Sequence, residues 1–224
     1  MMISPQTFYE RELRGKNAEQ INKVIVRLKR EMNRLKKTME HPDYAITMYP
    51  TEDTRIWCTR EYLQEAMRAL EEINAPYIPN SRERRIIEFN ENLNHIESIK
   101  FTIGGFFGGF TIINVSFAYT EVHYVVNESN ERVQLATEED CNRDAFIEDL
   151  RDLHIGEWKS HYDLKRFGMY VLDGTQWEIT IQYDNGAKPF TTGGDNAYPY
   201  NFERWLEFIG LEDYFEEESE EEDD

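Results

Sequence analysis

The chain has 224 residues, 40% of them hydrophobic and 13% aromatic, with 44 Asp+Glu against 25 Lys+Arg for a formal net charge of -19. This length supports one generous domain or two small ones without disulfides or metal, and the apolar content excludes an overall disordered polypeptide. The negative charge opposes both the wrapping of nucleic acid and attraction to an anionic membrane surface.

Residues 17–40 give the first helix. Asn17 is a capping residue, and Ile21, Ile25, Leu28, Met32, Leu35 and Met39 follow the 4-3-4-3-4 spacing of a coiled-coil seam. Lys23, Arg27, Lys29, Arg30, Arg34, Lys36 and Lys37 cover the other faces, which makes this a basic N-terminal helix. His41-Pro42 ends it, because proline disfavours helical backbone in the residue before it. Two readings of the seam follow: packing within its own domain, or a homodimer interface through residues 21–39. A second helix over 59–74 carries Leu63, Ala66, Met67, Leu70 and Ile73 on one stripe and stops at Ala75-Pro76. Between the two helices no period emerges, and at most one short strand is assigned. Arg82 to Leu93 reads as a third helix.

Beyond His95 the period changes to two. Ser98–Ile103 and Phe110–Tyr119 read as strands joined through the Gly104–Gly109 turn, and Val122, Tyr124 and Val126 alternate in a third. Arg132–Leu135 pairs back, and Thr137 opens a helix running to about His154. Strands follow at Phe167–Leu172 and Gln176–Tyr183, the latter alternating Trp177, Ile179, Ile181 and Tyr183 with polar residues. Asn201 caps a last helix with Phe202, Trp205, Leu206 and Ile209, closed by Gly210. Strands and helices come in runs, so the expected class is α+β: an antiparallel sheet of about six strands with helices on one face. Residues 1–211 are expected to form a single domain, mainly helical over 1–95 and sheet-rich over 96–211. The segment 212–224, with ten acids and no base, is expected to be a disordered acidic tail.

Cys58 and Cys141 form no CxxC pair, and the N-terminus lacks a signal-peptide core, so a cytoplasmic setting with reduced thiols is expected. The twenty uncharged residues 101–120 include four glycines and many β-branched and aromatic residues, the composition of sheet core and not of a membrane span.

Three blocks occur together: TEDTRIWCTREYLQEAMRAL, IKFTIGGFFGGF, and LDGTQWEITIQYDNG followed by GGDNAYPYNF. In combination they resemble a group of uncharacterised bacterial proteins of unknown function. The resemblance spans residues 51–210 and implies a bacterial or mobile-element source and an intracellular setting. It implies no activity, cofactor or catalytic residue.

Three segments hold candidate sites. His154, Glu157 and His161 share one face if the segment is helical, as metal ligands must, although Gly156 weakens that helix and the order matches neither HExxH nor HxxEH. Phe106 and Phe107 either close the end of a core or form an exposed aromatic anchor; GGFFGG lacks both phosphate-loop patterns. Asp195 and Asn196, in a glycine-rich loop, either bind a ligand or cap turns. No cofactor is implied and no catalytic residue is nominated. The charge then favours a non-enzymatic interaction protein that binds a basic surface of a protein partner, without direct contact to nucleic acid or membrane. By analogy with acidic anti-CRISPR-type proteins, such a chain imitates nucleic acid and inhibits a bacterial nucleic-acid enzyme. The alternatives are a metal- or acid/base-dependent enzyme using His154, Glu157 and His161, and the homodimer through the 21–39 helix.

Overall fold

Asn17 and Gln20 exchange side-chain and backbone hydrogen bonds in a capping box, and this fixes the start of the longest helix. A computed structural model describes residues 2–46, 49–105, 108–118, 121–128, 131–133, 142–171, 174–212 and 214. The chain divides into two compact units, Met1–Asn80 and Ser81–Asp224.

The first unit is helical. Helix α1 (Pro5–Phe8) starts behind Ser4, whose hydroxyl accepts from the Thr7 N–H, and runs into a π turn at Tyr9–Leu13. Helix α2 spans Ala18–Met39 and α3 spans Glu52–Glu72. The seam residues Ile21, Ile25 and Leu28 are buried against Leu63, Ala66, Ala69 and Leu70 of α3, with Phe8 and Leu13 closing one end. The 3.5-residue pattern is therefore satisfied within the chain, and the seam proposed for a homodimer is already filled. Helix α3 begins earlier than the apolar stripe indicates because the Thr51 hydroxyl accepts from the Thr54 N–H, and Glu52 and Ile56 are buried in the added turns.

The second unit is built on a seven-stranded sheet in the order β4-β3-β2-β1-β6-β7-β5. The strands are β1 (Ile96–Gly105), β2 (Gly109–Ala118), β3 (Glu121–Glu128), β4 (Glu131–Val133), β5 (His161–Asp163), β6 (Gln176–Tyr183) and β7 (Phe190–Asp195). All neighbours are antiparallel except β5 and β7, so the sheet is mixed. Register places Ile99, Phe101 and Ile103 beside Ile181, Ile179 and Trp177 on one side and Val115, Ile113 and Thr111 on the other. That face carries the core. Helices α4 (Ser81–Asn92), α5 (Arg143–Asp152) and α6 (Phe202–Phe208) cover it through Phe89 on Phe190, Phe146 on Phe117, and Phe202 on Trp177. The opposite face presents Lys100, Ser116, Glu178, Gln182 and Thr191, all exposed.

The α+β class agrees with the sequence; the sheet has seven strands and one parallel pair where about six antiparallel strands were expected, and α4, α5 and α6 are the helices that cover its one face. Four further details differ. Residues 1–95 are helical as expected, but the division into two compact units falls at Asn80/Ser81, because α4 packs on the sheet. The strand expected at Phe167–Leu172 does not form over its described residues 167–171: Phe167 ends a 3-10 turn (Leu164–Phe167) capped by Asp163, Gly168 at φ 76° terminates that turn, and residues 169–171 are irregular. β5 is too short for its alternation to be seen. β7 reads as a loop because it contains Gly193-Gly194, yet a Cβ at Gly194 would lie 2.6 Å from the Ala197 carbonyl oxygen and 2.8 Å from Trp177 Nε1. Glycine is required there by close packing, not by a turn.

Asn201 ties the helical layer together. It is 5% exposed; its amide donates to the Leu153 carbonyl at 2.6 Å and accepts from Trp158 Nε1 at 2.9 Å. Replacing it with alanine leaves a buried N–H and C=O unpaired, so Asn201→Ala is expected to lower unfolding free energy by about 2–4 kcal/mol in urea titration.

Candidate functional site

The segment holding His154, Glu157 and His161 is not one helix. His154 has φ 53°, Ile155–Glu157 is a single 3-10 turn, and His161 opens β5. The shared helical face on which a metal site depends is thus absent, and among the described residues no group of three His, Cys, Asp or Glu side chains is placed to hold a metal. Glu157 accepts from the Tyr200 hydroxyl at 3.4 Å, and its carbonyl accepts from Arg82 at 3.2 Å.

The structure joins His161 instead to Asp195. Parallel pairing of β5 with β7 sets His161 opposite Gly193 and Asp163 opposite Asp195, and Nε2 of His161 lies 3.3 Å from the Asp195 carboxylate. Both side chains are about half exposed, at 53% and 54%, which makes this an open surface contact. Asn196 has a structural role. It adopts φ 52°, its Oδ1 accepts from the Thr175 N–H at 2.8 Å, and its side chain lies where a Cβ on Gly174 would stand. Phe106 and Phe107 lie outside the described residues, as does the acidic tail apart from Glu212 and Tyr214. Asn196→Ala is expected to destabilise by about 1–3 kcal/mol, losing the bond to the Thr175 N–H and the local hydrogen bonding through which asparagine tolerates left-handed backbone. Asp195→Asn leaves the melting temperature nearly unchanged, since exposed ion pairs contribute little.

The outer surface of α5 was not legible as a site. Asp144, Glu148 and Asp152 stack at four-residue intervals with Asp149 beside them, and all four are exposed. Phe146, Ile147 and Leu150 bury the opposite side of the helix. The two cations of α5 turn away from these acids. Arg143 donates to the carbonyls of Asn94 at 3.1 Å and Ile96 at 3.2 Å, and its guanidinium lies over the Phe117 ring; Arg151 donates to the Asn90 carbonyl at 3.2 Å. The four carboxylates make no ion pair with any described residue. Helix α6 abuts α5 through Phe146 and Phe208, whose centroids are 4.6 Å apart, and adds exposed Glu203 and Glu207. Signals in the sequence give the acids but not the direction of the arginines.

Charge is partitioned between the units. Residues 1–80 hold 13 Lys/Arg and 12 Asp/Glu, whereas residues 81–211 hold 12 and 22. In the first unit Glu31 accepts from Arg34 at 2.9 Å and Arg55 at 2.7 Å, and these hydrogen bonds and charges hold its carboxyl below the usual range. A depressed folded-state value stabilises above the unfolded value and is lost as pH falls through it. Glu31→Gln is therefore expected to lower the melting temperature at pH 7 and to have no such effect in strong acid, as followed by circular dichroism.

Burial and Glu61 push the Cys58 thiol up, opposite to the shift of a reactive nucleophile. Among the described residues, no helix is long and apolar enough to cross a membrane. No protein-family model, curated protein or solved structure matches the chain.

Proposed function

We propose that the chain is a non-enzymatic interaction protein whose acidic second unit binds a basic surface of a protein partner, such as the groove of a bacterial nucleic-acid enzyme. The observation that carries this reading is the engagement of Arg143 and Arg151 with backbone carbonyls, while the α5 carboxylates form no ion pair with any described residue. Four charges over nine residues of helix give about one per 3–4 Å of axis, close to the one per 3.4 Å of a single nucleic-acid strand. A basic groove shaped for phosphates would attract such a row, with fast association that weakens in salt.

The test uses a partner purified by retention on the immobilised full chain. Its affinity is expected to fall steeply across a salt series. The triple variant Asp144→Lys/Glu148→Lys/Asp152→Lys should bind at least about tenfold more weakly, because each reversed charge opposes the partner. The control Glu71→Lys, an exposed acid of the first unit, should bind as the unaltered chain. Affinity indifferent to salt, or a triple variant that binds normally, removes the proposal.

A further inference from the structure

The first unit carries a surface of opposite sign. Lys23, Arg27, Arg30 and Arg34 occupy one side of α2, facing away from the buried Ile21, Val24, Ile25 and Leu28. Their positions, four, three and four residues apart, form a straight file about 16 Å long at 1.5 Å per residue. Three of the four are held in place by carboxylates: Lys23 by Glu19 at 2.7 Å, Arg27 by Glu12 at 2.9 Å and Arg34 by Glu31 at 2.9 Å. Arg30 is exposed and pairs with no described residue. Each guanidinium has five N–H donors, so one bound carboxylate leaves the arginines able to take another. Val26 lies within the file at 46% exposure, an apolar side chain on a face that is otherwise polar.

We infer that the outer face of α2 is a docking surface for an acidic peptide segment of a partner protein, one that seats a large apolar side chain on Val26 between carboxylates held by Arg27 and Arg30. Charge complementarity selects the sign of the occupant. Val26 and the interleaved acids select its class. A nucleic-acid strand carries a charge on every unit and would meet Glu19 and Glu31 along the file, whereas a peptide spaces its acids and offers an apolar residue between them. The pre-paired arginines reduce the cost of ordering long side chains on binding.

Fluorescence anisotropy with the full chain tests this, using the labelled peptide Ser-Glu-Ser-Glu-Phe-Glu-Ser-Glu-Ser as probe. Saturable binding is expected, weakened at least about tenfold by Arg27→Glu/Arg30→Glu. Should that double variant lose helical signal, Arg30→Gln alone replaces it and is expected to weaken binding a few-fold. Val26→Ser should also weaken binding, and that loss should vanish when the probe's Phe is replaced by Ser, as a double-mutant cycle requires for direct contact. The α5 variant Asp144→Lys/Glu148→Lys/Asp152→Lys should bind the peptide as the unaltered chain does, which separates this surface from the acidic one. Absence of saturable binding, unchanged affinity in the α2 variants, loss of binding in the α5 variant, or tighter binding of an oligothymidylate of equal charge would overturn the inference.

Discussion

The seating of Trp177 sets the arrangement of the second unit. Its ring crosses Gly194 so that Nε1 donates to the Ala197 carbonyl at 3.0 Å, and no other residue type at 194 leaves room for that bond. The same ring stands edge-on to Trp158 at 5.8 Å and against Phe202 at 4.7 Å. One side chain thereby fixes β6 to β7, to the connector after α5, and to α6. Aromatic rings of this size bury about 150–250 Å² each, so this cluster outweighs any single polar contact in the unit. From α6 the packing passes to α5 through Phe208 and Phe146. The position of the acidic helical surface is consequently a result of core packing, with no contribution from attraction among the charges it carries.

Strong periodicity was legible in the sequence, and packing was not. The alternation of Trp177, Ile179, Ile181 and Tyr183 gives both the strand and its buried face, and all four are 8% exposed or less. The heptad spacing of α2 gives the helix and its buried side, but period alone does not say whether the partner helix comes from the same chain; α3 does. β7 was hidden because a glycine pair has two physical meanings, freedom of φ and absence of a Cβ, and only the neighbouring Trp177 and Tyr162 decide between them. The His154–His161 spacing carried a metal reading only while the segment was taken as helical. Left-handed backbone at His154 turns the chain and sends His161 to a sheet edge, where its contact is Asp195, a residue first grouped with a different candidate site.

The net charge of -19 does not describe a uniformly acidic body. The first unit is nearly neutral in sum and still concentrates cations on one helix face, while the excess of acid belongs to residues after Ser81.

The acidic surface of α5 is built at a small cost to the helix that carries it. Like charges at four-residue spacing destabilise a helix by a few tenths of a kcal/mol per pair, and α5 contains two such pairs, 144/148 and 148/152. A lysine at 148 would turn both into attractive pairs at no cost to the core, since position 148 is exposed. The helix has cations, but Arg143 and Arg151 lie on its other edges and bind the carbonyls of Asn94, Ile96 and Asn90. These bonds secure α5 to the chain that leads into β1 and so stabilise the fold, and they engage the arginines away from the acids. The segregation has two effects at once: the cations hold the helix down, and the carboxylates face outward without an ion pair to any described residue. The outward row of carboxylates is the feature on which the proposed contact with a basic partner surface rests.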